Sequence, residues 1–262
     1  MQMPSIKAVA LAFATLLACI SPSAGASSSQ QQPLAAGVPF EVRDAVLADV
    51  ADIATTFLDA FTPAPVWTYV NQFYENYTDY YRDCFEGQVK AVINKLAPKG
   101  IKFRVLLVPD QTRHSGSRVV STSLWEFNRT AESPYTSWSL GPEATDSGNC
   151  SLHLATNTTR ADHLKKAMLY GQKTYLDGVY ERHAYLHLLA THPKWDGNGF
   201  AAENLRWGMA LADKMGMPTT LLATPAGYPL YRSLAFEGMY NVSVDRLDGL
   251  GTVWYEVMKF EA

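Results

Sequence analysis

The chain has 262 residues, of which 47% are hydrophobic and 18% charged, and its formal net charge is -3 at pH 7. This length and apolar content suit one domain with a sizeable core. The mildly negative net charge argues against nucleic-acid and anionic-membrane binding, because both depend on basic surfaces.

The first 26 residues have the form of a secretory signal peptide. Lys7 supplies a positive charge, the run Ala8–Ile20 is apolar or small, and Ala24-Gly-Ala26 has the small-x-small pattern of a signal-peptidase site. The apolar run is shorter than the roughly 20 residues that span a bilayer, although an uncleaved anchor is the alternative. We therefore expect a protein that is secreted or held in the secretory-pathway lumen, with no membrane attachment after cleavage.

Sequons and cysteines agree with this location. Five Asn-x-Ser/Thr tripeptides occur, at Asn76, Asn128, Asn149, Asn157 and Asn241. Behind a signal peptide they predict N-glycosylation at exposed positions. Once Cys19 leaves with the signal, Cys84 and Cys150 remain, an even number that predicts a disulfide in an oxidising compartment. Two buried free thiols are the alternative.

The mature chain begins with a Ser/Gln/Pro-rich stretch over residues 27–39, which predicts a disordered leader before a domain over 40–262. The alternation over Phe40–Asp44 predicts a strand, and the apolar spacing over Asp49–Phe61 predicts a helix. After a break at two prolines, a longer helix rich in aromatic residues is predicted from Val66 to Cys84.

The middle of the chain predicts a hairpin and then a surface excursion. Lys102–Val108 and Arg118–Phe127 are predicted strands, and the polar turn between them favours antiparallel pairing. Residues 128–161 are rich in Ser, Thr, Asn, Gly and Pro and carry three of the sequons. They predict a glycosylated surface excursion. A helix over Asp162–Tyr175 is predicted to follow, and the excursion and helix together cover residues 128–181.

The last third alternates strands and helices around a Gly-rich turn. Ala184–Thr191 is a predicted buried strand, Asp196–Ala201 is the turn, and Phe200–Met215 is the helix that it opens. The remaining predicted elements are a strand at Thr219–Ala223, a short helix through Tyr231 to Leu234, and closing strands near Phe236–Val244 and Thr252–Phe260.

A strand, a Gly-rich turn and a helix N-terminus together form an anion site, because unpaired amides and the helix dipole point toward the ligand. Gly197-Asn-Gly199 alone is a weak signal, since a simple helix cap has the same composition. A dinucleotide-binding Rossmann site is not favoured, because the three-glycine spacing is absent and little α/β sequence follows.

Neighbouring motifs strengthen the signal. The run His183-Ala-Tyr-Leu-His-Leu-Leu-Ala-Thr-His-Pro193, followed by Asp196-Gly-Asn-Gly-Phe-Ala201, closely resembles the acetyl-CoA motif of GNAT acetyltransferases. Leu222-Ala-Thr-Pro-Ala-Gly227 and Leu230-Tyr-Arg-Ser-Leu-Ala-Phe236 continue the likeness in the same order. The sequence is most similar to GNAT-domain proteins of filamentous fungi, and the match is strong over residues 182–240.

The resemblance implies a mixed α/β (α+β) fold, the GNAT acyl-CoA N-acyltransferase fold, with a mostly antiparallel central sheet flanked by helices. The sheet is expected to splay where the strand ending at Thr191 meets the strand ending at Ala223. The implied function is acetyl-CoA-dependent N-acetylation of an amine, a small molecule or a peptide amine. Because acetyl-CoA is scarce outside cells, a catalytically degenerate binding or host-interaction protein is the alternative.

The resemblance also implies the residues that bind acetyl-CoA. They are Leu189, Ala190 and Thr191 at the strand end, and Gly197, Asn198, Gly199, Phe200 and Ala201 in the loop. Asp196 departs from the family pattern, because a carboxylate beside a pyrophosphate is unfavourable unless it points away.

Tyr231 matches the tyrosine that in many relatives lies near the cofactor sulfur and protonates the leaving thiolate, with Ala235 in place of the family's glycine. His187 or His183, at alternating strand positions, is the candidate base, since an imidazole titrates near neutrality. A structural role for either histidine is the alternative. Nothing has metal-ligand spacing, so no metal is expected, and the oligomeric state is not determined.

Overall fold

Seven strands form one sheet in the order β1-β2-β3-β4-β5-β7-β6. The computed structural model describes residues 37–135 and 150–261. The strands are β1 (Glu41–Asp44), β2 (Ile101–Pro109), β3 (Ser117–Arg129), β4 (His183–Thr191), β5 (Thr219–Ala223), β6 (Glu237–Asp245) and β7 (Thr252–Phe260). Every neighbouring pair is antiparallel except β4 and β5, which are parallel. The predicted mixed, mostly antiparallel sheet is confirmed.

Six α-helices flank this sheet within the described part of the chain. They are α1 (Val50–Phe61), α2 (Pro65–Val70), α3 (Thr78–Ala91), α4 (Thr158–Gln172), α5 (Phe200–Lys214) and α6 (Tyr228–Ser233). Successive residues of a strand face opposite sides of a sheet. Leu124 accordingly packs with residues of α1 and α3, whereas its neighbour Trp125 packs with residues of α5. The sheet therefore lies between two helical layers.

The single helix predicted from Val66 to Cys84 is wrong. α2 ends at Val70, a 3-10 turn follows, and α3 begins only at Thr78. The chain leaves the helix at Asn71 because contacts to a distant segment replace the local ones. The Asn71 side chain accepts a hydrogen bond from Thr156 at 2.9 Å, and the Phe73 amide donates to the Ala155 carbonyl at 3.1 Å.

The region predicted as a surface excursion plus a helix, residues 128–181, is described in part. Residues 136–149, including the Asn149 sequon, lie outside the described residues. Further along, α4 begins earlier than predicted because the Asn157 side chain accepts a hydrogen bond from the Arg160 amide and caps the helix. Leu164 is fully buried and packs with residues of β6 and β7, so this helix belongs to the core. A π-helical segment, Lys173–Asp177, leads toward β4.

The predicted splay of the sheet is present between its two parallel strands. β4 pairs with β5 only at Ala184–Thr219, Tyr185–Thr220 and Leu186–Leu221. β4 then continues to Thr191 along β3 alone, while β5 continues to Ala223 along β7. The two strands therefore separate toward their carboxyl ends, and the β4 main chain faces an opening there.

Cys84 of α3 and Cys150 form the predicted disulfide, with a Cα–Cα distance of 5.5 Å. The Tyr80 hydroxyl donates to the Cys150 carbonyl at 3.1 Å and reinforces the link. The bridge joins residues 66 apart in sequence. In the chain-entropy account, a loop of this size contributes about 4 kcal/mol to stability. The disulfide thus holds the segment before α4 against α3.

Four of the sequons lie in described residues. Asn76, Asn128 and Asn241 are exposed, while Asn157 is half-buried. The Asn157 amide nitrogen, the atom that a glycan would take, donates to the Gln72 side chain at 2.9 Å. Glycosylation stays a prediction at all of them. Among the residues that the structure describes, no helix is both long and apolar enough to cross a membrane.

Close packing of α5 on β3 yields the first testable prediction. A Cβ atom added at Gly208 would lie 2.1 Å from the Trp125 ring. This ring is fully buried, so it cannot move away without displacing its neighbours. We expect Gly208→Ala to destabilise the fold by the upper part of the about 1–3 kcal/mol typical of overpacking. This outweighs the about 1 kcal/mol that alanine adds through helix propensity. Chemical denaturation measures the difference.

Ala210→Ser is the matched control, because position 210 is exposed on the same helix. Its effect should stay within about 0.5 kcal/mol. An unchanged or increased stability of Gly208→Ala would contradict the packing described for Trp125.

Candidate active site

The Gly-rich turn after β4 has a backbone conformation that requires glycine at two positions. Gly197 and Gly199 have φ angles of 79° and 78°, in the left-handed region that residues with a Cβ atom rarely adopt. Gly199 is also the N-cap of α5. The Asn198 side chain donates to the carbonyls of Trp195 and Asp196, at 3.0 and 3.4 Å. Asn198 therefore fixes the shape of the turn, and its side chain does not point at a ligand.

The N-terminus of α5 offers amide donors beside this turn. The Glu203 amide donates to the Gly199 carbonyl at 3.0 Å. The amides before it, at residues 200–202, have no intrahelical acceptor, and the helix dipole adds positive potential there. The Phe200 ring is 1% exposed and packs in the core, so this residue can meet a ligand only through its main chain.

A cleft of about 230 Å³ lies against the turn and the helix end. Its lining consists of Thr191, Trp195, Asp196, Gly197, Gly199, Phe200, Ala201, Ala202 and Leu230. Five of the predicted acetyl-CoA residues are in this set, and Asn198 braces the turn next to it. Asp196, the departure from the family pattern, is exposed and also lines the cleft.

Leu189 and Ala190, the other two predicted residues at the strand end, lie further back along β4. They pair with Ser123 and Thr122 of β3 on one side. On the other side, the described pairing with β5 has already ended at Leu186. The β4 main chain therefore borders the splay at these positions, as a main-chain contact to a bound molecule requires.

Buried polar side chains join β3 to the start of α5. Asn204 is fully buried, and its amide donates to the Ser121 hydroxyl at 2.8 Å. Ser121 in turn donates to the Ala190 carbonyl at 2.9 Å. Thr191 donates to the Ser121 hydroxyl at 3.0 Å. These bonds hold the helix N-terminus and the end of β4 in a fixed relation around the cleft.

Tyr231 of α6 is close to the cleft, since the preceding residue, Leu230, lines it. Its side chain is largely enclosed: the residue is 7% exposed, and its ring centroid lies 5.7 Å from that of Phe236. Burial raises the pKa of the Tyr231 phenol, and the nearby Tyr185 phenol raises it further. Tyr231 therefore remains a protonated donor across the physiological range.

His187 lies in a β-bulge of β4 and contacts a carboxylate that the sequence analysis did not identify. Its Nε2 atom is 2.9 Å from Oε2 of Glu126, and both side chains are buried. Burial by itself would raise the pKa of Glu126, but the hydrogen bond and charge of His187, together with Arg129 and Ser133, hold this pKa below its ordinary value. Glu126 is therefore a carboxylate at neutral pH.

The cluster continues from Glu126 to the start of β4. Arg129 donates to Glu126 at 2.6 Å and binds Asp177 through two N–H groups, at 2.8 and 3.0 Å. His183, the other candidate base, contacts Asp177 through Nε2 at 3.1 Å and the Thr220 hydroxyl through Nδ1. Because both of its ring nitrogens have protein partners and it is fully buried, His183 has a structural role.

One signal in the sequence points to Glu126. It is the single charged residue between Val119 and Phe127, in a strand that is otherwise apolar or hydroxylic. A charge at such a position requires a buried partner. Asp177 lies in a segment without strand or helix-face periodicity, and no local pattern marks it. In residues 37–135 and 150–261, no group of three His, Cys, Asp or Glu side chains is placed to hold a metal ion.

Solved structures with a similar fold include several acetyltransferases. One is the histone acetyltransferase HPA2 and related acetyltransferase of Corynebacterium glutamicum, with a TM-score of 0.53, 18% identity, and coverage of 84% of this chain and 94% of that one. The chain has the GNAT acyl-CoA N-acyltransferase fold. No protein-family model and no curated protein matches the sequence.

Two further structures with the GNAT fold have named amine chemistry. Polyamine N-acetyltransferase of Drosophila melanogaster, which forms N-acetylagmatine, has a TM-score of 0.53 at 11% identity. The alignment covers 86% of this chain and 100% of the Drosophila chain. The mosquito arylalkylamine N-acetyltransferase like 5b has a TM-score of 0.52 at 14% identity, with coverage of 85% and 99%. At these identities the likeness establishes the GNAT fold alone.

The buried cluster makes the stability of this fold depend on pH. Burial tends to raise the pKa of Asp177, but its bonds to His183 and Arg129 lower it overall. A carboxylate with a lowered folded-state pKa stabilises the fold above its ordinary pKa of about 4, and this contribution is lost as the pH falls through the lowered value.

Asp177→Asn should therefore destabilise the fold by about 3–5 kcal/mol at pH 7, because Arg129 is left buried with reduced compensation. The difference from wild type should narrow below about pH 4, where the native carboxylate also becomes protonated. Thermal unfolding between pH 3 and 8 measures both effects. Asp213→Asn, at an exposed position of α5, is the control. A destabilisation that does not change with pH would show that Asp177 acts through packing and not through its charge.

Proposed function

We propose that the chain is an acetyl-CoA-dependent N-acetyltransferase that acts on a small amine in the secretory pathway or outside the cell. The cleft between the Gly-rich turn and α5, bordered by the unpaired edge of β4, supports this proposal most directly. It combines amide donors at a helix end with a strand edge, on a fold that the compared N-acetyltransferases share. Secretion rests on the signal-peptide pattern of residues 1–26 and on the sequons.

In this proposal the amides of residues 197–201 bind the pyrophosphate of acetyl-CoA. Left-handed glycines let the main chain approach closely, and the helix dipole favours the negative charge. The open edge of Leu189–Thr191 pairs with the amide groups of the pantetheine arm. Acetyl-CoA supplies the thioester that is cleaved, and the protein supplies position, main-chain donors and proton transfer.

Two side chains carry the proton transfers. His187 removes a proton from the attacking amine, directly or through a water molecule, while the C–N bond forms. Tyr231 donates its proton to the sulfur as the C–S bond breaks, which its raised pKa permits because the phenol stays protonated. The products are the N-acetylated amine and free CoA thiol.

The proposed acceptor is a small amine. The compared enzymes from Drosophila and mosquito, which share the fold, are named for polyamine and arylalkylamine acetylation. A peptide amine is the other acceptor class. The proposed acceptor site lies on the side of β4 opposite α5, where Tyr185 and His187 lie with ring centroids 4.8 Å apart.

Asp196 supports a second candidate function. Its carboxylate lines the cleft that the proposal assigns to a pyrophosphate, and like charges at short distance repel. A secreted protein with a weakened acetyl-CoA site is a GNAT-fold binding or host-interaction protein. The two functions differ in measurable properties. The enzyme binds CoA and turns over an amine, whereas the binding protein turns over no amine and need not bind CoA.

Acetyl-CoA binding is tested by charge changes at the turn. Gly199→Glu should abolish binding, because it adds a carboxylate and a side chain at a left-handed position where the main chain meets the pyrophosphate. Asp196→Gln should increase the affinity several-fold, since about 1 kcal/mol of repulsion at an exposed site corresponds to roughly five-fold. Isothermal titration of the secreted, deglycosylated protein measures both values.

Gly216→Glu is the matched control. Gly216 also has a left-handed φ, 65°, and follows the opposite end of α5, so it carries the same strain and charge away from the turn. It should leave the affinity for CoA unchanged. Equal affinities in wild type, Gly199→Glu and Asp196→Gln would remove acetyl-CoA from this cleft.

Tyr231→Phe tests the proposed proton donor. The variant keeps the packed ring and loses only the hydroxyl, so kcat should fall by roughly ten- to a thousand-fold while CoA affinity stays nearly constant. Thiol release with a panel of amines measures the rate. Tyr228→Phe, on the same helix, should keep the wild-type kcat. A variant that loses stability at an unchanged kcat would make Tyr231 a core residue without a catalytic role.

A further inference from the structure

Glu126 lies beside the base that the proposed function uses. We infer that Glu126 is a positioning residue, which orients the His187 imidazole and stabilises its protonated form during amine attack. The inference rests on the proposed function for its catalytic meaning. It rests on the structure for its geometry, in which the two side chains are joined at 2.9 Å and are only 6% and 4% exposed.

A β-bulge brings His187 to this carboxylate. Leu124 of β3 pairs with Leu188, and the next residue, Trp125, pairs with Leu186, so β4 carries one extra residue, His187, at this point. Leu186 packs with the α5 cluster and Leu188 with the α1 cluster, so the strand changes face within the bulge. The His187 ring lies on the Glu126 side of the sheet, where its Nε2 atom meets the carboxylate.

Glu126 has fewer hydrogen bonds to Arg129 than Asp177 has among the contacts that the structure describes. Arg129 binds Asp177 with two N–H groups. Glu126 receives one N–H group from Arg129 and the hydroxyl of Ser133. An imidazolium at His187 would therefore add a positive partner to the Glu126 carboxylate.

Other titratable groups lie near His187 in the described part of the chain. Tyr185, on the same strand, has its ring centroid 4.8 Å from that of His187. His183 and Asp177 lie at the far end of the cluster and contact each other. From α6, Tyr231 is neutral because its pKa is raised. Glu126 is a carboxylate in direct contact with the His187 ring.

The contact also fixes the tautomer of the neutral imidazole, in which the Nε2–H group donates to the Glu126 carboxylate. Glu126 stabilises the imidazolium and itself stays ionised, because the same contacts hold its pKa below the ordinary value.

Glu126→Gln is the decisive variant, because the amide has the size of the carboxylate and keeps a hydrogen bond to His187 without the charge. Loss of a neighbouring anion lowers the pKa of an imidazolium, so we expect the His187 pKa to fall by about one unit or more in an NMR titration. The acid limb of kcat/KM should move to lower pH in parallel, and kcat should fall by about 10- to 100-fold as the base weakens.

Two further variants separate the effect of the Glu126 charge from other effects. Glu126→Asp retains the charge and should restore most of the His187 pKa and of the acid limb. Asp59→Asn is the matched control for the titration, since it removes the carboxylate 3.0 Å from a different histidine, His192, and should leave the His187 pKa unchanged. Both comparisons apply to folded protein, verified by thermal unfolding.

An unmoved His187 pKa in folded Glu126→Gln overturns the inference, whatever happens to the rate. A reduced kcat with an unmoved pH profile does so too, because it indicates a purely structural role. If the wild type acetylates no amine, the proposed function fails. The NMR titration then still decides whether Glu126 controls the protonation of His187, so the two failures are distinguishable.

Discussion

The site depends on the parallel register of β4 and β5, which ends after Leu186 and Leu221. Beyond this point each strand keeps a partner on its other side, so the sheet opens without unpairing either strand completely. Main-chain polar groups need partners, and in the described residues the edge of β4 beyond Leu186 has no paired strand on the β5 side. The Gly-rich turn and the α5 N-terminus lie at the same end of β4, so the proposed pyrophosphate site and the proposed pantetheine site are adjacent.

The second requirement is that the buried ionisable side chains of β3 and β4 compensate one another's charges. Buried ions are tolerated only when hydrogen-bonded partners replace their hydration. Here the partners come from elements far apart in sequence: Glu126 and Arg129 from β3, Asp177 from the π-helical segment, and the two histidines from β4. A change at one member therefore alters the others, so the candidate base His187 is electrostatically coupled to Arg129 and, through it, to Asp177.

The segment between β3 and β4 joins these regions. α4 packs so closely on the C-terminal strands that a Cβ atom at Gly171 would lie 2.6 Å from Val242. The disulfide links Cys150, which precedes α4, to α3. Beside α4, the guanidinium groups of Arg160 and Arg246 lie over the Tyr69 ring, 4.9 and 4.7 Å from its centroid. α4, predicted as the helix after the surface excursion, is therefore part of the packed structure.

The sequence by itself determined the strands and the Gly-rich turn, because alternation and glycine conformation are local properties, and its motifs implied the fold class through their resemblance to GNAT acetyltransferases. It also marked the region that forms the cleft, since the turn and the start of α5 are contiguous in the chain. Only the tertiary structure decided that the helix predicted from Val66 breaks at Asn71, because contacts with residues 155–157 outweigh helical periodicity. Only the tertiary structure joined Glu126 to His187, since a bulge and a sequence separation of 61 lie between them, and long-range pairing leaves no periodic trace in a sequence.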